Sequence, residues 1–130
     1  MKCLGLFIIL ISISSFCASG AQAQESSIYL CDFKTQRPDV DGLRLKKYFD
    51  SEQGIDLGKI ELIKDSFVID SLSTQVLQIP LLDSQGFVQV WFAPSTLLDA
   101  QLSYDQGLRP FHATYKKNSE RHELICSQLP

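Results

Sequence analysis

Thr96-Leu97-Leu98-Asp99-Ala100-Gln101-Leu102-Ser103-Tyr104 is the stretch that decides the fold. Thr96, Leu98, Ala100, Leu102 and Tyr104 fall on one face, and Asp99, Gln101 and Ser103 on the other. A period of two with a single apolar face marks an antiparallel strand that is buried on one side and wet on the other. Working outward, Ile28 to Phe33 sets Tyr29, Cys31 and Phe33 against Ile28 and Leu30, and Leu57 to Ile63 sets Ile60 and Leu62 against Lys59 and Glu61. Further strands are expected over 67–69, 74–79, 86–92, 110–115 and 122–126. Residues 41–50 admit two readings. Leu43 and Leu45 alternate with Arg44 and Lys46 as in a strand, whereas Leu45, Tyr48 and Phe49 also line one helical face with Asp39 or Asp41 as cap. The strand is the favoured reading. The expected fold is all-β, a small antiparallel barrel or sandwich of about seven or eight strands.

Punctuation agrees with this. Gln53-Gly54, Gln85-Gly86 and Gln106-Gly107 each stand between apolar runs, where glycine supplies the positive φ of a turn. The flanks of the three pairs do not match, so they mark turns and not repeats. No low-complexity tract or long linker divides the chain.

Residues 1–23 have the three parts of an export leader: Lys2, the apolar run from Leu4 to Ile13, and Ala21-Gln22-Ala23 as a small-x-small cleavage site. The apolar run is shorter than the roughly 20 residues that span a bilayer, so no membrane span is expected. Lipidation at Cys17 is the competing reading, and the bulky Phe16 before it speaks against that. Residues 24–130 then form one exported domain, periplasmic or secreted. Two cysteines remain in it, Cys31 and Cys126, 95 residues apart. In an oxidising compartment they are expected to form a structural disulfide that ties the ends together.

Charge excludes one class of partner. The chain has 12 Lys and Arg against 15 Asp and Glu, and the small clusters Arg44/Lys46/Lys47 and Lys116/Lys117/Arg121 make no basic stripe. No nucleic-acid partner is expected. Chemistry is as sparsely provided for. His112 and His122 are the two histidines, and strand alternation sends them to opposite faces of one hairpin, so no metal or other cofactor is implied. Neither a G-x-S-x-G elbow nor a phosphate loop is present. Asp50 with Glu52, or Asp99 with Asp105, are the carboxylate pairs a cell-wall hydrolase would draw on. No enzyme is expected.

The functional clue is Gly86-Phe87-Val88-Gln89-Val90-Trp91-Phe92. Val88, Val90 and Phe92 make one face apolar, and Phe87 and Trp91 do the same for the other. Either this strand is covered on both sides, or Phe87 and Trp91 form a binding patch with Tyr104 and Arg109 at its rim.

The Tyr29-Leu30-Cys31-Asp32 start and the Ile125-Cys126-Ser127-Gln128-Leu129 end resemble the cysteine frame of the small periplasmic inhibitors of C-type lysozyme, and the Gly86 to Trp91 strand resembles their aromatic strand. The Ser-Gly-x-x-Tyr stretch those inhibitors insert into the lysozyme cleft is absent, as is a Lys-Gly after the aromatic strand. The resemblance therefore implies a topology, a barrel closed by a bridge between its ends, more than an activity. The expected function is that of an exported, non-catalytic, inhibitor-like binding protein with a protein or another envelope component as partner. A structural envelope-associated role is the alternative. The sequence carries no signal of oligomeric state.

Overall fold

A computed structural model describes residues 5–7, 10–12, 26–82 and 85–130. Two short strands, β1 (Gly5–Phe7) and β2 (Leu10–Ser12), pair only with each other among the described residues. The cleavage site at residues 21–23 and Cys17 lie outside the described residues. The domain itself consists of β3 (Ser26–Phe33), β4 (Gly42–Asp50), β5 (Ile55–Lys64), β6 (Phe67–Pro80), β7 (Gly86–Ala93), β8 (Thr96–Ser103), β9 (Phe111–Lys117) and β10 (Glu120–Gln128). These eight pair antiparallel in sequence order and close by the pairing of β10 with β3, a closed barrel. Residues 42–50 are strand, as favoured.

Alternation builds the interior. In β8, Thr96, Leu98, Ala100 and Leu102 are buried, while Leu97, Asp99 and Gln101 face out. Tyr29, Leu43, Leu45, Ile60, Val76, Trp91, Phe111 and Leu124 join them in one core. Cys31 and Cys126 stand opposite each other across β3 and β10 and form a disulfide, so the covalent bond lies on the seam that closes the barrel. An exported, oxidising location is compatible with that bond.

The two ends of the barrel differ. At one, hereafter the hairpin end, three two-residue turns join β5 to β6, β7 to β8 and β9 to β10. Asp65 and Ser66 take φ of 51° and 69°, Ser95 61° and Asn118 57°, the positive values that tight hairpins demand. At the other, the loop end, lie the turn at 51–54 and the longer connections 81–85 and 104–110. Gly54 and Gly107 have φ of 69° and 58°, as their turns require. Gly86 is a correction: it is the first residue of β7 without positive φ, and a Cβ there would strike the Leu102 carbonyl oxygen. It serves a close strand approach instead of a turn.

β6 is also longer than the pattern implies. The expected strands at 67–69 and 74–79 are one 14-residue strand. Its register against β5 shifts from Leu62↔Asp70 to Ile63↔Val68, which leaves Ile69 as the extra residue of a bulge. A bulge swaps the faces on either side of it, so the alternation of residues 67–73 cancels when read as a single period.

The outer wall carries one partly buried ion pair. Glu61 of β5 faces Arg44 of β4, with Arg44 Nε donating to Glu61 Oε1 at 2.6 Å and Lys46 Nζ at 3.6 Å. Burial pushes the Glu61 carboxyl up, but Arg44, Lys46 and Lys59 together outweigh it and hold the group below its ordinary range. The unfolded chain therefore binds the proton at a higher pH than the folded one, and stability rises with pH through that window. The contribution is complete above the ordinary glutamate value of about 4.3 and is lost as pH falls through the folded value beneath it. Urea midpoints taken from pH 6 downward are expected to fall more steeply for the native chain than for Glu61→Gln. At neutral pH that substitution is expected to cost about 1–2 kcal/mol, since it removes the charge from a hydrogen-bonded pair. Equal slopes for the two chains count against this assignment.

Candidate functional site

β8 and β9 separate at the loop end. Their pairing stops at Ala100↔Ala113, so Gln101, Leu102 and Ser103 have no partner on β9, and Phe111 and His112 none on β8. The Gln106 side chain spans the gap where the ladder is missing. Its Oε1 accepts from Ser103 N and Ser103 Oγ, each at 3.1 Å, and its Nε2 donates to the Arg109 and Pro110 carbonyls, also at 3.1 Å. An amide side chain is suited to this because it offers both a donor and an acceptor. A cleft of about 450 Å³ remains, walled by Leu81, Gly86, Gln101, Ser103, Phe111 and His112.

Three of the four expected binding residues gather beside this cleft. Phe87 packs on the core from within, and its ring meets that of Tyr104 at 5.3 Å between centroids. Tyr104 is 65% exposed, and its N–H donates to the Gln85 carbonyl, which ties the 81–85 and 104–110 connections together. Arg109 does not offer a free charge. Its Nη2 donates to the Asp105 carbonyl at 2.8 Å and to Asp105 Oδ1 at 3.3 Å, and its Nε donates to the Gln106 carbonyl at 3.1 Å. It closes its own loop.

Trp91, the fourth, is a correction to the surface reading: it is 0% exposed, inside the barrel. Its Nε1–H donates to Gln89 Oε1 at 2.9 Å, so Gln89, the polar residue between Phe87 and Trp91, is the partner that lets an indole be buried there. Tyr29 meets Trp91 edge to face at 6.3 Å and continues to Phe111 at 5.7 Å. The doubly apolar strand thus has a different explanation. Its Phe87 and Trp91 face fills the core, and its Val88, Val90 and Phe92 face adjoins Leu77, Ile79 and Leu97 on the outer wall. Leu77 and Ile79 are 52% and 49% exposed. Period alone showed both faces to be apolar without saying which one the barrel encloses.

At the loop end Leu82, Tyr104, Leu108 and Ile79 are all large apolar residues on the surface, and Leu82 is 99% exposed. Leu82 and Leu108 were missed in the sequence because they sit in connections, where no period marks them.

The hairpin end holds a second recess, of about 520 Å³, lined in part by Arg37, Asp39, Tyr115, Glu120 and His122. Its charges are spent on each other. Arg37 donates to Asp39 at 2.8 and 3.1 Å and to His122 Nε2 at 3.1 Å, and its guanidinium lies 5.2 Å from the centroid of the Phe33 ring. The hydrogen bond from Arg37 is the main reason the Asp39 carboxyl is held below its ordinary range. Burial raises the Tyr115 phenol. His122 stacks on Tyr115 inside this end, whereas His112 stands on the outer face, as alternation implies.

Among the described residues, no three His, Cys, Asp or Glu side chains converge as metal ligands, and no helix is long and apolar enough to cross a membrane. Asp50 Oδ1 accepts from the N–H groups of Glu52 and Gln53, capping its own turn, and Asp105 is held by Arg109. Among the described residues, the cleft between β8 and β9 is lined by no carboxylate. No protein-family model, curated protein or solved structure matches the chain.

Proposed function

We propose that this is an exported, periplasmic or secreted binding protein, inhibitor-like and without catalysis of its own, which engages a protein partner at the loop end of the barrel. The observation that carries the reading is the cleft opened by the splay of β8 and β9 at the same end of the barrel where Ile79, Leu82, Tyr104 and Leu108 are exposed. Apolar anchors around a preformed concavity are what binding hot spots use. Gln101, Ser103 and His112 supply the polar groups that orient a bound segment. The Arg109 and Gln106 contacts hold the rim in shape before the partner arrives, which lowers the ordering cost of association.

The test is capture from the native envelope extract with the oxidised domain as bait, beside a Leu82→Ser/Tyr104→Ala variant. Both positions are exposed, so the variant is expected to fold with native circular dichroism. A partner held by the first and lost by the second supports the reading. Equal capture by both, or by neither, removes it.

One observation favours a second reading, a structural envelope-associated role. The outer wall of Leu77, Ile79, Val88, Val90, Phe92 and Leu97 is a broad apolar surface on the side of the barrel, suited to lying against a larger surface.

A further inference from the structure

Barrel closure leaves one strand half paired. β6 bonds to β5 from Lys64↔Phe67 to Asp56↔Val76, but its pairing with β7 begins only at Gln75↔Phe92. Residues Phe67 to Thr74 thus present an edge without a strand partner among the described residues. At roughly 3.3 Å per residue that edge is about 23 Å long. Ser71 N–H is capped by Asp70 Oδ1 at 2.9 Å, so this amide turns to its own neighbour's side chain in place of a ladder partner. Alternation sends the Ser73 amide the same way. Phe67, Val68 and Ile69 beside it are 72%, 43% and 52% exposed.

Natural edges are blunted by lysine, proline, shortness or bulges, and here the bulge at Ile69 interrupts the edge near its start and leaves Asp70 to Thr74 regular. This one is long, contains no lysine or proline, and has Asp70 as its only charge, which faces Lys117 of its own chain at 4.0 Å. We propose that the 67–74 edge of β6 is a pairing surface for a second copy of this chain, joined antiparallel about a two-fold axis at Ser71. That axis sets Asp70 against Leu72 and Ile69 against Ser73, so no like charges meet. A second copy brings an unpaired edge of the same length and satisfies both at once, as an isologous interface requires. Pairing also covers the apolar residues at the base of the edge. The surface lies at the hairpin end, away from the cleft between β8 and β9, and is independent of what that cleft binds.

Sedimentation equilibrium of the oxidised domain over a dilution series tests this. The expected result is a mass rising to twice that of one domain. Ser71→Pro removes an edge amide that does not serve the β5 ladder, and Ser71→Lys sets two like charges at the axis while staying beside Glu61 in its own chain. Both variants are expected to stay at the mass of one domain with native circular dichroism, and if the proline variant fails to fold, the lysine variant decides. A native chain that remains single at every concentration overturns the proposal. So does a dimer that Ser71→Lys leaves intact, or one lost only on Val90→Glu, which would place the contact on the outer wall.

Discussion

Trp91→Ala is expected to destabilise the domain by about 3–5 kcal/mol, the range for emptying a fully buried aromatic site. The loss has three parts. The indole fills the barrel between Val76 of β6 and Leu98 of β8, its partners in the two flanking strands. Its edge contact with Tyr29 also goes, and with it the first link of the chain to Phe111. Gln89 is left with a buried amide oxygen and no donor. The site has been fitted to the indole from the opposite side too. A Cβ on Gly58 would lie 2.5 Å from Trp91 Cζ3, so the bare backbone of β5 is what makes room for the ring. As the only tryptophan, Trp91 reports its own surroundings. Its emission is expected to be blue-shifted and insensitive to iodide or acrylamide in the folded domain, and denaturant midpoints give the stability loss. Emission at the wavelength of free indole, or a variant as stable as the native chain, contradicts the enclosed position.

Breaking the Cys31–Cys126 bond has an effect of similar size. It closes a span of 95 residues, and the chain-entropy model assigns such a loop about 4–5 kcal/mol. The expected result for Cys31→Ser/Cys126→Ser is a melting temperature lower by on the order of 20 °C, at roughly 4–8 °C per kcal/mol for a domain near this size. Reduction of the native chain is expected to give the same shift, and differential scanning calorimetry with and without reductant checks both. A shift of only a few degrees would mean that the β3–β10 ladder holds the seam without help.

Much of this architecture was legible. The alternation of Thr96 to Ser103 read out β8, the terminal cysteines read out the seam, and residues 41–50 read out as strand from Leu43 and Leu45. What was not legible has physical causes in particular residues. The bulge at Ile69 inverted the period of β6 and hid its middle, residues 70–73. Gly86 resembled a turn glycine because close approach between backbones leaves no trace in local sequence. Trp91 and Phe87 were correctly placed on one face, but which face a barrel encloses depends on curvature, which is set by all eight strands together. The residues expected to bind divide on the same ground. Phe87, Tyr104 and Arg109 come near one another because the start of β7 and the 104–110 connection meet at one end, while Leu82 and Leu108, also exposed there, follow no period at all.

The strand order has a consequence for how the chain is connected. Every strand of the barrel lies beside its neighbours in sequence, except at the single meeting of β10 with β3. Leu129 N–H donates to the Ile28 carbonyl at that meeting, so the two ends of the domain run side by side. The ring therefore has no privileged origin. A chain rejoined there by a short linker and opened instead at Asn118-Ser119 keeps every hairpin but one, and turns the former seam into a local contact. Circular permutation at the hairpin end thus moves the one long-range closure around the barrel without adding a second, and it is that lone closure, more than the seven local ones, that sets how slowly the barrel folds.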